Sequence, residues 1–283
     1  MVYLDYAATT PYNKDVLKTY TQLLEKYFYN ADSIYSQGIE VNRLLEKSRG
    51  LLAKMLDVDE EEMIFTSCGS EANNMAIKGI AFQYQNRGKH IITSAIEHSS
   101  VYNACIQLRD VFGFQVDFIS VDQNGRLNLD ELSHKIRDDT ILVSLMYVNN
   151  EVGIINPIHE VREIISQKNK KTKFHVDMVQ ALGKIPIDLS VVDMASFSAH
   201  KIYGLKGSGV LFKKESTSLI PLICGGQQES GLRGGTSNTA THIMFAKTLR
   251  LALENQDNKY QYVKSLNRYV RNAFIQEPDI VIN

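Results

Sequence analysis

The chain has 283 residues, of which 44% are hydrophobic, and its 31 basic and 32 acidic side chains leave a formal net charge of -1. A chain of this length and composition can bury a large core, which excludes disorder of the whole. The balanced charge creates no general attraction to nucleic acid or to anionic lipid, so we expect neither partner and favour a small-molecule ligand.

Cysteine usage and the N-terminal residues indicate the compartment. Cys68, Cys105 and Cys224 lie far apart and form no CxxC pair, so we expect no zinc or other metal site and no redox dithiol. The N-terminus has no basic start followed by an apolar stretch, and no apolar run is long enough to span a bilayer. We therefore expect a soluble, unprocessed protein in the cytoplasm, with no membrane contact.

Short apolar runs rich in β-branched residues alternate with helical patterns along most of the chain. The runs predict strands at Met63–Thr66, His90–Thr93, Gln115–Ile119, Ile141–Val148, Lys173–Val176, Val192–Phe197 and Gly209–Phe212. The helical patterns cover Glu71–Gln85, His98–Phe112 and His159–Lys168. This βαβ alternation predicts an α/β fold with a mostly parallel sheet, in which a ligand binds at the carboxyl ends of the strands.

The region after Gly234-Gly235 has a different pattern. A long helical stretch is predicted from near Thr241 towards Phe274, with weaker periodicity in its second half. The short apolar run Ile280–Ile282 follows it and predicts a further strand.

The strongest chemical signal is Ser196–Lys201, where an apolar strand ends in small polar residues and a lysine. A partly desolvated lysine has a lowered pKa and can act as an amine nucleophile towards an aldehyde cofactor. A lysine taken alone is more often an ordinary surface residue. The neighbouring motifs reverse that preference.

One predicted strand earlier, Phe174–Asp177 places a carboxylate at the end of an apolar run. Pyridoxal phosphate acts as an electron sink only while its ring nitrogen stays protonated, and an aspartate paired with that nitrogen maintains the proton. A helix N-cap is an equally common use of such an aspartate. Without Lys201 both interpretations of Asp177 stay open.

A turn of small residues at Phe65–Asn74 joins a predicted strand to a predicted helix, and its backbone N–H groups with the Ser70 hydroxyl suit a cofactor phosphate. Such corners are common, so this signal is weak alone. The glycines of Gly204–Gly209 do not follow the order of a Walker A sequence, and no GxGxxG opens a helix. Nucleotide binding is therefore only a minor alternative.

Taken in order, these motifs resemble the cysteine desulfurases, fold-type I pyridoxal-phosphate enzymes grouped with the class V aminotransferases. The resemblance covers nearly the whole chain, and its further motifs are Tyr3–Pro11, Glu97-His98, Val148–Gly153, Gly225–Glu229 and Gly231–Thr236. It implies a three-layer α/β/α large domain with a mostly parallel seven-stranded sheet. It also implies an N-terminal arm over residues 1–14, the large domain over 15–250, and a linking helix with the start of a small domain over 251–283.

The resemblance also implies roles for single residues. Lys201 would bind pyridoxal phosphate, Asp177 its ring nitrogen, and Asn150 and Gln180 its phenolic oxygen, while His98 would stack on the ring and help to move protons. Gly69, Ser70, Ser198 and His200 would hold the phosphate, and Thr236 would reach the phosphate of a neighbouring subunit in a homodimer. Taken singly, His98 or Asn150 is more often a satisfied polar residue near a strand end.

The implied reaction converts L-cysteine to alanine. The substrate would displace Lys201, the freed lysine would remove the Cα proton, and a cysteine thiolate would take the sulfur for an acceptor or iron–sulfur scaffold protein. In the family the persulfide-forming cysteine and the arginine that binds the substrate carboxylate lie in a C-terminal small domain, and this sequence stops at Asn283 before either appears. We therefore expect a truncated chain with poor to moderate cofactor binding and little or no desulfurase activity.

Two other functions stay open. Cofactor residues do not choose the substrate, so a related lyase or aminotransferase acting on another amino acid is an alternative. A non-catalytic subunit that keeps the fold for dimerisation or scaffold contacts is a second one.

Overall fold

Seven strands form one sheet in the computed structural model, which describes residues 2–280. They are β1 (Met63–Thr66), β2 (His90–Ser94), β3 (Gln115–Ile119), β4 (Thr140–Met146), β5 (Lys173–Asp177), β6 (Met194–Ser198) and β7 (Gly209–Lys213). All seven predicted strands are confirmed, with bounds that differ by at most two residues.

The strand order is β1-β7-β6-β5-β4-β2-β3, and only β7 runs antiparallel to its neighbours. The predicted mostly parallel sheet is thus confirmed. Because the other six strands point the same way, their carboxyl ends share one edge of the sheet, where an open α/β sheet binds its ligand.

Helices cover both faces of this sheet. They are α1 (Lys14–Lys26), α2 (Ser36–Leu56), α3 (Gly69–Tyr84), α4 (Ser99–Phe112), α5 (Leu129–Lys135), α6 (Ile158–Lys168), α7 (Thr239–Leu253) and α8 (Gln256–Phe274). Successive strand residues point to opposite faces, so Ile64 and Ile91 pack with α3 and α4, whereas Phe65 and Ile92 pack with α2, α6 and α7. These two cores confirm the three-layer α/β/α architecture.

The predicted long helix after Thr241 is wrong in one respect, since it consists of two helices. Helix α7 ends at Leu253 and α8 begins at Gln256, because Asn255 between them has a left-handed backbone with a φ of 58°. Asparagine tolerates this conformation better than most residues. Apart from the half-buried Gln256 at its start, every residue of α8 is exposed.

The predicted strand Ile280–Ile282 lies largely outside the described residues, and Ile280 itself belongs to no strand. Within residues 2–280, no helix combines the length and the apolar character that crossing a bilayer requires.

Candidate active site

Two neighbouring strands bring Lys201 and Asp177 together at the carboxyl edge of the sheet. Asp177 is the last residue of β5 and pairs in register with Ser196 of β6. Lys201 ends a single 3-10 turn, Ala199–Lys201, that begins directly after β6. The two side chains interact electrostatically, with opposite charges facing one another.

The amine of Lys201 is held by the N-terminal segment. Its Nζ donates to the carbonyl oxygens of Ala7 at 2.5 Å and Ala8 at 2.8 Å, and Gln180 Nε2 donates to the same Ala7 oxygen at 2.9 Å. Partial burial lowers the pKa of Lys201, while the carboxylates around it, Asp177 first, oppose the shift. The lysine is therefore easier to deprotonate than a free one.

The Asp177 carboxylate is almost completely buried, with 4% of its surface exposed. Its Oδ1 accepts from the backbone N–H of Val179 at 3.0 Å, and its Oδ2 accepts from Asn73 Nδ2 at 2.7 Å. Burial raises the pKa of Asp177, whereas these two hydrogen bonds and the charges of His98 and Lys201 act in the opposite direction. The hydrogen bonds and neighbouring charges thus limit the shift that desolvation causes, and the pKa of Asp177 stays above its usual value.

A second corner of the site lies where α3 begins beside the end of β6. Gly69 opens α3, and a Cβ there would lie 2.8 Å from Val179 Cγ2, so only glycine fits this approach. Ser198 is buried, and its Oγ has no hydrogen-bond partner among the described residues. Ser70 follows Gly69 and is exposed. The buried Ser198 hydroxyl thus lies near the start of α3 without a hydrogen-bond partner among the described residues.

His200 closes this corner from the side of the N-terminal segment. Its Nδ1 lies 3.0 Å from Thr9 Oγ1, and its carbonyl oxygen accepts from Thr10 Oγ1 at 2.8 Å. Burial lowers the pKa of His200 to about 4, and the charge of Lys201 adds to this effect. The ring is therefore neutral at physiological pH.

His98 caps the start of α4. Its Nδ1 accepts from the backbone N–H of Ser100 at 3.1 Å and lies 2.8 Å from Ser100 Oγ. A nitrogen that accepts an N–H bond carries no proton of its own, so the neutral ring has its hydrogen on Nε2.

Two predicted site residues are not joined to this group. Asn150 Nδ2 donates to Glu151 Oε1 at 2.7 Å, and within residues 2–280 no hydrogen bond connects Asn150 with Asp177 or Lys201. Thr236 is exposed in the loop before α7. Its expected role concerns a neighbouring subunit, which a single protomer does not test.

Comparison with known proteins decides the family. The family model for aminotransferase class V matches residues 2–282. The chain belongs to the class V aminotransferases. Enzymes of this family depend on pyridoxal phosphate, which agrees with the cofactor expected from the motifs.

Two curated relatives place this class V aminotransferase among the cysteine desulfurases, as the motifs predicted. It is 42% identical to cysteine desulfurase IscS of Dictyoglomus turgidum, over 100% of this chain and 72% of that protein. It is 44% identical to the NifS/IcsS protein homolog of Lactobacillus delbrueckii subsp. bulgaricus, over 95% of this chain and 71% of the relative.

Solved structures agree with this class V aminotransferase fold. A NifS-like protein matches with a TM-score of 0.94 and 38% identity, over 97% of this chain and 75% of its own. The structure described as SspA in complex with cysteine matches with a TM-score of 0.84 and 35% identity, over 88% and 72% of the two chains.

The sequence of this class V aminotransferase assigned no role to three polar side chains of the site. Asn73 contacts Asp177, Glu97 lies beside β4, and Lys184 Nζ donates to Gln180 Oε1 at 2.6 Å. Burial lowers the pKa of Lys184 to about 8, and the charge of Lys201 adds to the shift. Helical spacing was a usable signal for Asn73, since it shares a face of α3 with the buried Ile77 and Ile80.

Glu97 is a buried acid of the class V aminotransferase site. Its Oε1 accepts from Ser94 Oγ at 2.5 Å and from the backbone N–H of Met146 at 3.1 Å, while its buried Oε2 has no partner among the described residues. Burial raises its pKa from 4.5 to about 8, against the effect of these two hydrogen bonds, and the charge of Asp177 raises it further. At neutral pH the acid is mostly protonated.

Glu97→Gln is expected to stabilise this class V aminotransferase increasingly as the pH rises from 5 to 8. The folded carboxyl binds its proton more tightly than the unfolded one, so the unmodified protein loses stability between pH 4.5 and about 8, whereas glutamine does not titrate. The difference in free energy of unfolding should grow by about 2–4 kcal/mol over that range. Urea titrations at several pH values measure it, with Glu163→Gln, an exposed position, as control. A pH-independent difference would contradict the prediction.

Proposed function

We propose that the protein is a pyridoxal-phosphate-dependent cysteine desulfurase, which converts L-cysteine to L-alanine and transfers the sulfur as a persulfide. The observation that carries the proposal is the Lys201 amine opposite the buried Asp177 carboxylate, on adjacent strand ends. The names of the relatives and the cysteine bound in one structural neighbour support L-cysteine as the substrate.

The residues present fit the cofactor at both of its ends. Unpaired Ser198 Oγ and the first N–H groups of α3 at Gly69 and Ser70 suit a phosphate, and His200 lies beside them. We assign the phosphate to these four residues. Thr236 would add a contact to the phosphate of a partner protomer, which makes a homodimer part of the proposal.

The ring end is assigned to the remaining residues. Asp177 would hold the ring nitrogen, His98 would stack on the ring, and Asn150 and Gln180 would bind its phenolic oxygen. Gln180 suits this task because its amide nitrogen and Lys201 Nζ converge on the carbonyl of Ala7. When bound, pyridoxal phosphate supplies an electron sink that stabilises negative charge at the substrate Cα.

Lys201 moves the proton in the proposed reaction. Its lowered pKa leaves more of the amine unprotonated at neutral pH, so Nζ can accept the Cα hydrogen of the substrate. The carbonyls of Ala7 and Ala8 bind Nζ whenever the amine is free. This segment therefore keeps the lysine at the site during turnover.

A thiolate must accept the sulfur, and the described cysteines differ in their suitability. Cys105 is unsuitable, because it is fully buried and burial raises its pKa to about 12. Cys224 is exposed, and Cys68 caps α3 next to Gly69. We propose that the sulfur passes on to an acceptor or iron–sulfur scaffold protein. All three thiols are free, which supports a reducing compartment such as the cytoplasm.

We also propose the division of the chain into an arm over residues 1–14, a cofactor-binding domain over 15–250 and a linking segment over 251–283. Helix α1 begins at Lys14, at the end of the segment that binds Lys201, which supports the first boundary.

The protein loaded with pyridoxal phosphate is expected to exchange the Cα hydrogen of L-cysteine in heavy water, whereas the 283-residue chain should release little or no alanine. Exchange of the Cα hydrogen needs no acceptor thiol, so it tests Lys201 and the residues assigned to the cofactor ring separately from sulfur transfer. Proton NMR measures exchange, and quantified alanine, pyruvate and sulfide measure the products, with free pyridoxal phosphate as control. Pyruvate from another amino acid would favour a lyase, and failure to turn yellow with the cofactor would favour a non-catalytic subunit; either result contradicts the proposal.

A further inference from the structure

A continuous hydrogen-bonded chain joins Asp177 to His98 through two side chains that no motif singled out. Asn73 Nδ2 donates to Asp177 Oδ2 at 2.7 Å and to Ser100 Oγ at 2.9 Å. Ser100 Oγ in turn lies 2.8 Å from His98 Nδ1. The chain therefore links the end of β5 to the starts of α3 and α4.

The buried position of Asn73 lets its side-chain amide donate two hydrogen bonds. It is 1% exposed, and both hydrogens of its amide are used, one on the carboxylate and one on the serine. Its Oδ1 is buried and has no partner among the described residues, an arrangement that costs stability. The amide nitrogen must face Asp177, because a carboxylate only accepts hydrogen bonds.

Ser100 fixes the orientation of the histidine. Its backbone N–H donates to His98 Nδ1, and its hydroxyl oxygen accepts from Asn73. Nδ1 is therefore an acceptor, and the hydrogen of the neutral ring lies on Nε2. A rotated or doubly protonated ring would lose this contact, so Ser100 selects both the tautomer and the ring position.

We propose that Asn73 and Ser100 are positioning residues that hold the Asp177 carboxylate and the His98 ring as one unit. Asn73 keeps the Asp177 carboxylate ionised and directed at the ring nitrogen of the cofactor. Ser100, which accepts from Asn73, fixes the orientation of the His98 ring. The inference deepens the proposed function and rests on the roles assigned there to Asp177 and His98.

The adjacent asparagines of α3 provide a matched pair for the test. Asn73 is buried against Asp177, whereas Asn74 donates to the carbonyl oxygen of Ser70 near the surface. Asn73→Ala should weaken binding of pyridoxal phosphate about tenfold or more, since a hydrogen bond to a buried charged group is lost. Asn74→Ala should stay within about twofold of the unmodified protein.

The absorption of the bound cofactor reports positioning separately from folding. If Asp177 holds the proton on the ring nitrogen less well, the ring withdraws less electron density from the nitrogen that links the cofactor to Lys201. The pH midpoint of the visible absorption band should then rise in Asn73→Ala and, by a smaller amount, in Ser100→Ala. A purely structural role for Asn73 would lower the melting temperature without moving this midpoint.

The affinity for pyridoxal phosphate and the pH midpoint of its visible absorption band are measured by spectroscopic titration of the full chain. An unchanged midpoint and affinity in Asn73→Ala would overturn the inference, provided that the unmodified protein binds the cofactor. If Asn73→Ala does not fold, Ser100→Ala decides, and an unchanged midpoint there overturns the inference equally. Failure of the unmodified protein to bind pyridoxal phosphate would instead refute the proposed function, so the two failures are distinguishable.

Discussion

Lys201→Ala is expected to abolish covalent fixation of pyridoxal phosphate by borohydride. The amine of Lys201 lies on the strand end next to that of Asp177 and interacts with its charge, and the lowered pKa of the lysine favours attack on an aldehyde. The same change should reduce Cα exchange by about 10²–10⁴-fold, the usual contribution of a positioned acid–base group. Mass spectrometry of peptides after reduction measures the site and the extent of fixation.

The control for this prediction is Lys206→Ala, because Lys206 is exposed on the turn after Lys201. This variant should keep full labelling at Lys201. Lys184 is a second partly buried amine nearby, but its Nζ is bound to Gln180 Oε1. Full labelling of Lys201→Ala, or labelling of Lys184 in the unmodified protein, would contradict the assignment.

Glu229→Ala is expected to reduce the free energy of unfolding by about 3–5 kcal/mol, since it removes the buried partner of Arg49 and leaves only the exposed Glu46. Arg49 Nη1 and Nη2 donate to the Glu229 carboxylate at 2.7 and 3.0 Å, and the two side chains are only 10% and 3% exposed. Glu229 Oε2 also accepts from the backbone N–H of Phe65 at 2.8 Å. Urea denaturation followed by circular dichroism measures the loss.

Glu46→Ala is the matched control, because Glu46 pairs with the same arginine but is 49% exposed. It should cost no more than about 1 kcal/mol. The double variant Arg49→Met, Glu229→Leu should recover much of the stability, since apolar groups of similar volume often replace a buried ion pair at little cost. A loss below about 1 kcal/mol in Glu229→Ala would contradict the prediction.

The Arg49–Glu229 pair also protects the free edge of the sheet. β1 is an edge strand, and Arg49 and Glu229 bind its carbonyl at Met63 and its N–H at Phe65. Glu229 and Ser230 adopt left-handed backbones, with φ of 48° and 55°, which cost about 1–2 kcal/mol each. The ion pair thus offsets strain in the loop that leads to Thr236.

Strands were predictable from the sequence because each is a short apolar run that ends in polar residues. The carboxylate of Asp177 and the amine of Lys201 could be placed on neighbouring strand ends for the same reason. The break at Asn255 was not predicted, because α8 is exposed from Asp257 to Phe274 and therefore shows only weak apolar periodicity. Helices α1 and α2 were also not predicted, since they pack mainly against α7, far away in sequence.

Side chains that connect two elements of the site were harder to predict. Asn73 and Asn74 have the same chemistry, and only the packing of α3 on the sheet makes one a partner of Asp177. Glu97 belonged to a recognised motif, but the burial of its unpaired Oε2 depends on how β4 packs against it. Such contacts depend on tertiary packing, which local patterns do not determine.

The contact between Lys201 and Ala7 joins residues 194 positions apart, and β1 pairs with β7 about half of the chain away. A ribosome adds about 5–20 residues per second, so the N-terminal segment must wait about 10–40 s for its partner to be synthesised. During that time β1 has an unpaired edge that other chains can contact. Substitutions in β1 should therefore lower the yield of folded protein in cells more than they change its turnover once assembled.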